Sequence, residues 1–274
     1  MYFNKRILLE AARTDLPLLE RFNYLGIYSN NLDEFFRVRV ASLRRIVGSL
    51  EPIPTHERRK AKETLRTIIR LNHEYSALFD RTFADLLQSL NEAHIHIINE
   101  QELTTDQEDE VLSFFMDKIN GITNPIFINS PTFRPEQHLK ESLYLVVVLW
   151  HEQGEEELAH DVALLEVPTK ELGRFLRLRD KDGESYLMFL DDVLRYCLPY
   201  IFIGREYAQY EAYTFKFTKD AEFELEQDLR SSVIEMVSRG VKRRGRGEAV
   251  RVVYDEALSP EILRRLSDMA ERSE

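Results

Sequence analysis

Ser29, Asn30 and Asn31 are three consecutive uncharged hydrogen-bonding side chains, and an apolar helical pattern begins directly behind them. Leu32, Phe35, Phe36, Val40, Leu43 and Val47 recur at helical spacing. Asn31 followed by Glu34 has the form of an N-cap with a returning carboxylate, so the spacing predicts a helix over 31–47. A helix start exposes unpaired N–H groups and the positive end of the dipole, which suits a polar or anionic ligand. A cap that only closes its own helix uses the same residues. Asp33 and Glu34 are of the right type for proton transfer, yet adjacent carboxylates in a first turn complement the dipole.

Lys242, Arg243, Arg244, Arg246 and Arg251 form the densest positive cluster in a chain of formal net charge −11. Two readings stay open there. Cations complement the carboxy terminus of a helix, and guanidinium forks also fit the oxygens of a phosphate chain. Arg37, Arg44 and Arg45 lie roughly opposite the apolar stripe of 31–47, either as a solvated face or as contacts for phosphate or further domains. His94 and His96 share one side of a short strand, a spacing compatible with metal ligation. No cysteine or third ligand stands near them, so they read as residues of a junction and no metal site is assigned. Gly240, Gly245 and Gly247 lack the spacing of a phosphate-binding loop, which excludes a P-loop kinase at the level of motif.

These groups must be positioned by two differently patterned halves. Up to about Leu103 the pattern is helical: helices are expected over 4–12, 16–25 and 31–47, and a long one over 57–93. The last has Leu65, Ile68, Ile69, Asn72, Tyr75, Leu78, Phe79, Phe83, Leu86, Leu87 and Leu90 along its stripe. Pro52, Pro54 and Gly48 break the chain between the last two. Residues 1–103 therefore read as an antiparallel helical bundle, and 95–98 as a strand leading out of it. Residues 104–274 alternate strands and helices. Thr105 with Glu108 resembles a capping box opening a helix to about Ile119. The runs 143–150 and 158–167, then 174–178 and 185–188 around Asp180-Lys181-Asp182-Gly183, read as two hairpins. Strands over 212–218 and 249–254 flank a long helix expected over 220–240. The fold class is α+β: a helical bundle, then an antiparallel α+β domain.

Composition narrows the function. With 274 residues and 43% hydrophobic content the chain can build one large core or two ordinary ones. The net charge argues against broad, salt-driven nucleic-acid binding, although a local basic channel can still receive a polyanion. The single cysteine, Cys197, cannot form an internal disulfide and reads as a core residue. No apolar run reaches membrane-spanning length and no secretory signal opens the chain, so a cytoplasmic location is expected.

Leu19-Glu20-Arg21, then Leu25-Gly26-Ile27-Tyr28-Ser29-Asn30-Asn31-Leu32-Asp33-Glu34-Phe35-Phe36 and Val38-Arg39, resemble the amino-terminal signature of the large polyphosphate kinase family that works through a phosphohistidine. Tyr2-Phe3-Asn4-Lys5-Arg6 with Leu8-Leu9-Glu10-Ala11 is similar to that family's first helix, which usually has more residues ahead of it. Leu190-Asp191-Asp192-Val193-Leu194-Arg195-Tyr196, Phe217-Thr218-Lys219-Asp220-Ala221-Glu222 and Val250-Arg251-Val252-Val253-Tyr254 resemble later motifs in the family's order.

The resemblance implies the front of such an enzyme, without the two carboxy-terminal catalytic domains that hold the phosphohistidine and the magnesium site. None of the seven histidines matches the phosphorylated one. By resemblance the intact protein transfers the terminal phosphate of ATP reversibly onto polyphosphate, with Mg2+ as cofactor. The implied partners are ATP or ADP, polyphosphate, the protein's own catalytic domains and further copies of itself. Asn31 matches the family's nucleotide-contacting asparagine, and Lys242, Arg243, Arg244 and Arg246 are candidates for polyphosphate. The chain alone is expected to be inactive. The competing expectation is a non-enzymatic module that binds a polyanion or a protein partner.

Overall fold

The computed structural model describes residues 1–49, 52–130, 133, 140–151, 160–205, 207–219 and 249–271. The chain forms two compact units, one of Met1–Glu92 with Thr218–Arg251, the other of Ala93–Phe217 with Val252–Arg272. The expected helix over 220–240, the acidic turn 152–157, and Lys242, Arg243, Arg244 and Arg246 lie outside the described residues.

The first unit is helical: α1 Tyr2–Ala11, α2 Leu18–Phe35, α3 Ala41–Gly48 and α4 Thr55–Glu92. Pro17 stands just ahead of α2, where its missing N–H removes no helical hydrogen bond. At 38 residues, α4 is the backbone of the unit, roughly 57 Å long at the helical rise. Its buried positions Ala61, Ile68, Tyr75 and Thr82 recur every seventh residue, with Leu86 and Leu90 beyond them, so one seam faces α1, α2 and α3. Ile69, expected on that seam, is 53% exposed. It lies about 100° round from Ile68, too far to share a narrow heptad seam. Phe22, Phe83, Phe79 and Tyr28 form an aromatic column between α2 and α4, with successive ring centroids 6.3, 6.3 and 5.7 Å apart.

Two sheets fall mostly in the second unit, although the last two residues of β7 (Tyr207–Lys219) and the first three of β8 (Ala249–Tyr254) are counted with the first. The smaller has the order β1 (Ile95–Ile98), β6 (Glu184–Phe189), β5 (Phe175–Lys181). The larger has the order β2 (Ile126–Phe127), β4 (His160–Glu166), β3 (Leu143–His151), β7 (Tyr207–Lys219), β8 (Ala249–Tyr254). Both expected hairpins form antiparallel pairs. At the tip of β5–β6, Asp182 and Gly183 have φ of 54° and 87°, the positive pair that a tight twisted hairpin requires. One pairing departs from the antiparallel pattern, since β1 runs parallel to β6.

The apolar run of β3 is explained by its two covered faces. Leu145, Val147 and Leu149 point into one core with Val111, Phe115, Ile119 and Met188. Tyr144, Val146 and Val148 point into another with Phe215, Phe217, Leu258, Ile262 and Leu266. Strand alternation therefore supplies both cores from a single segment. The first core rests on α5 (Thr105–Phe114) and the π-helical turn Phe115–Ile119 that continues it. The cap of α5 sits one residue earlier than the sequence predicts: Thr104 donates its backbone N–H to Gln107 Oε1 at 3.0 Å. Gln107, rather than Glu108, thus returns to the helix start, because a neutral amide suits that partly buried position.

Between the sheets, α6 (Thr169–Leu172) precedes β5, α7 (Leu190–Tyr196) follows β6, and α8 (Leu198–Ile201) leads toward β7. Cys197 joins α7 to α8, is fully buried, and burial pushes its thiol up to about 12. It is a packing residue and not a thiolate. Asp191 and Asp192 of α7 converge with Arg174 and Arg195. Arg174 Nη1 lies 2.5 Å from Asp191 Oδ1, Arg195 pairs with Asp192, and Arg195 Nη2 donates to Thr214 Oγ1 at 2.8 Å. These bonds tie the start of β5, α7 and β7 together. Pro260–Glu271 forms α9, whose Ile262 and Leu266 close the second core.

Candidate functional site

The structure moves Asn31 off a helix start. The helix that carries it runs from Leu18 to Phe35, so Asn31 lies inside α2, within its last two turns, and does not cap it. Its backbone N–H therefore belongs to a helical ladder, and the helix-start argument for anion binding falls. The reason is tertiary. Leu25, Tyr28 and Leu32 are buried at helical spacing across the expected break, and Phe22 packs tilted on Phe83 while Tyr28 stacks on Phe79 of α4. Packing along one face overrides a local capping signal. Asn31 flanks that face and is half-buried, while Asn30 is exposed.

The break comes later, as a π-helical turn over Phe36–Val40 that joins α2 to α3. Such turns are frequent at functional sites because one extra residue shifts the phase of every side chain that follows. Three features gather where the turn begins. Asp33, two residues after Asn31, pairs with Arg251, and both side chains are about five-sixths buried, at 15% and 16% exposure. The Arg251 guanidinium carbon lies 5.6 Å from the centre of the Phe36 ring. Tyr28, one turn before Asn31, has its hydroxyl buried with no hydrogen-bond partner among the described residues. Burial pushes that hydroxyl up, against the opposing pull of Arg251. All of these residues belong to the first compact unit.

Arg251, counted with the basic cluster in the sequence, is thus the partner of a largely buried aspartate. The arginines behind Asn31 also differ from a uniformly solvated face. Arg44 is exposed, but Arg37 and Arg45 are half-buried, and Arg37 Nε lies 3.8 Å from Glu34 Oε2. Asp33 and Glu34 are consequently partners of arginines, one in a buried pair and one in a loose surface pair.

His94 and His96 meet Glu184, which sequence reasoning did not single out. His94 Nδ1 is 2.8 Å from Glu184 Oε1, and His96 Nε2 is 2.6 Å from Oε2. The parallel pairing of β1 with β6 brings them together across some ninety residues of sequence, and Ser185 N–H donates to His94 O at 2.9 Å. The hydrogen bonds from His96 and then His94 hold the Glu184 carboxyl below the usual carboxylate range. Among the described residues no three His, Cys, Asp or Glu side chains are arranged to hold a metal ion. The trio is a hydrogen-bonded cluster where β1 meets β6. Only a correct forecast of the parallel pairing would have revealed Glu184.

A family model for the polyphosphate kinase N-terminal domain matches residues 1–98, and one for the polyphosphate kinase middle domain matches residues 106–274. The chain is similar to the polyphosphate kinase of Yersinia pestis, at 34% identity over 270 residues that cover 96% of this chain and 38% of that protein. It is also 34% identical to the polyphosphate kinase of Escherichia coli K12, over 92% of this chain and 36% of that one. The crystal structure of polyphosphate kinase from Porphyromonas gingivalis shares its fold with a TM-score of 0.73 at 27% identity, covering 98% of this chain and 36% of its own. The chain therefore spans rather more than a third of the length of these relatives.

Proposed function

This chain belongs to the polyphosphate kinase family, and on that premise we propose that its residues form the nucleotide-contacting and assembly-bearing front of a protein that transfers the terminal phosphate of ATP reversibly onto polyphosphate. The observation that carries the reading is the match of both family domains, in order, over nearly the whole chain. We take the functional boundary between the helical and α+β parts to lie after Leu103. Asn31 is the proposed ATP contact, offered by the side chain alone because its backbone is committed to α2.

In this proposal the γ-phosphoryl group passes to a histidine held elsewhere in the protein and then to the end of the polyphosphate chain, dividing one transfer into two. Magnesium is the cofactor that the family resemblance implies. The described residues do not fit a magnesium site, since no three ligand side chains converge among them, and no step is assigned to the ion here. No helix among the described residues is long and apolar enough to cross a membrane; cytoplasmic residence and self-assembly complete the proposal.

Lys242, Arg243, Arg244 and Arg246 are proposed to guide the polyphosphate, because a confined positive patch attracts a polyanion even on an acidic protein. The test uses the native protein containing this chain and measures ATP formation from ADP and polyphosphate at two ionic strengths. Changing Arg243, Arg244 and Arg246 together to Gln is expected to raise the KM for polyphosphate more than that for ADP. The difference should shrink as salt screens the exposed part of the attraction. Equal KM values for variant and native protein at both ionic strengths would leave the cluster without a part in holding polyphosphate. Absence of any polyphosphate-dependent ATP formation by the native protein would contradict the proposed activity itself.

A further inference from the structure

Charge is unevenly spread along this chain. Residues 37–70 hold ten of its 37 lysines and arginines but only three of its 48 aspartates and glutamates, a net +7 within a chain of −11. Six of these cations, Arg58, Arg59, Lys60, Lys62, Arg66 and Arg70, belong to the first half of α4. At about 100° per residue, Arg59, Lys62, Arg66 and Arg70 fall within an arc of roughly 80°, along about 17 Å of helix. All four are exposed, and their stripe lies roughly opposite the buried seam of Ala61, Ile68 and Tyr75.

Helix energetics oppose this placement. Arg58, Arg59 and Lys60 stand at the amino-terminal end of α4, where the dipole disfavours cations. Lys62, Arg66 and Arg70 follow one another at every fourth residue, a spacing at which like charges repel. Relief is partial: Arg70 Nη1 lies 2.6 Å from Glu74 Oε1, and Glu63 borders the stripe. Among the described residues no acidic side chain pairs with Arg59, Lys62 or Arg66. Keeping a helix face in water does not require such a row. The same line continues along α4 through Ala77, Ala84 and Gln88, which are exposed and uncharged.

We propose that Arg59, Lys62, Arg66 and Arg70 form a surface track for polyphosphate, holding the part of the chain that lies beyond its reacting end. This rests on the reading of the protein as one that lengthens and shortens polyphosphate, and it adds a site separate in sequence from Lys242, Arg243, Arg244 and Arg246. The chemistry suits a linear polyanion. Cations repeated every three or four residues along one line offer themselves to successive phosphates, and a polyanion removes the repulsion between them. No Phe, Tyr or Trp stands within residues 59–70 to stack the bases of a single-stranded nucleic acid.

The test measures ATP formation from ADP by the native protein containing this chain, with long-chain polyphosphate and with short oligophosphates. Changing Arg59, Lys62 and Arg66 together to Gln is expected to raise the KM for the long chain about tenfold at low salt, roughly twofold for each exposed contact. The KM for short oligophosphates should not follow, because they end before they reach the track. Glutamine is a good helix former and the change removes like-charge repulsion, so the unfolding midpoint should equal or exceed the native one. Changing Arg177, Arg179 and Lys181 to Gln removes the same charge from exposed positions of β5 and should leave the long-chain KM native. A native long-chain KM in the α4 variant, an equal rise for short oligophosphates, or an equal rise in the β5 variant would overturn the track and leave the proposed activity intact. Loss of single-stranded RNA binding with an unchanged polyphosphate KM would assign the stripe to nucleic acid and overturn it too. A native protein that forms no ATP from polyphosphate would overturn both the activity and the track.

Discussion

Purified as it stands and incubated with γ-phosphate-labelled ATP and magnesium, the 274-residue chain is expected to carry no acid-labile phosphate. Phosphohistidine formation needs an imidazole with a free lone pair in line with the γ-phosphorus, and residues that only position a substrate cannot replace a missing nucleophile. His94 and His96 are bound to Glu184, and His151 lies 3.2 Å from Asp161. His160 packs beside Trp150 with ring centroids 4.9 Å apart. His56 and His73 lie on the exposed side of α4, with no metal cluster among the described residues to neutralise a transferring phosphoryl group. Labelling is to be read by autoradiography after alkaline electrophoresis. Stoichiometric, acid-labile labelling of any histidine of this chain would contradict the account.

The second large effect concerns stability. Replacing Arg195 with Ala strands the Asp192 carboxylate, only 13% exposed, and leaves Asp191, 8% exposed, with Arg174 as its remaining cation. Uncompensated buried charge of this kind costs about 3–5 kcal/mol, measurable by urea unfolding at pH 8. The loss should be smaller at low pH. Burial, followed by the neighbouring Asp191 charge, pushes the Asp192 carboxyl up to about 6 from 3.8, against the attraction of Arg195. For a carboxyl raised in the folded state, the folded protein binds more protons than the unfolded chain between those two values. Its contribution is therefore fully present below pH 3.8 and is lost as pH rises through about 6. Asp192→Asn should flatten the stability of the otherwise native protein across that window. A loss under about 1 kcal/mol in Arg195→Ala at pH 8, the worth of an exposed pair, would show that the network is open to water.

Features encoded over short sequence distances were legible. The hairpins at 143–166 and 175–189 declared themselves through apolar runs and an Asp-Gly turn, and α4 through its stripe. What escaped depended on partners far away in sequence. Asn31-Leu32-Asp33-Glu34 imitates a helix start, and only the packing of Phe22 and Tyr28 on α4 shows that the helix is already under way. The pairing of Asp33 with Arg251 joins residues 218 positions apart, and Glu184 reaches His94 through a parallel pairing that no turn signal announces. Asn31 was singled out through the family signature around it, while Arg251, the buried partner of Asp33, looked like one cation among many.

The central claim is that Asn31 contacts ATP, and the structure makes its test sharper than the sequence did. An N-cap would lose about 1 kcal/mol of stability on conversion to alanine, which would confuse any loss of affinity. Asn31 lies inside α2, where alanine is the better helix former by several tenths of a kcal/mol, so the variant should be at least as stable as the native protein. The decisive measurement is the ATP dissociation constant of Asn31→Ala in the native protein containing this chain, taken beside its unfolding free energy. An affinity weakened by about fivefold, the worth of roughly 1 kcal/mol, with undiminished stability is the predicted result; native ATP affinity in a fully folded variant would contradict it.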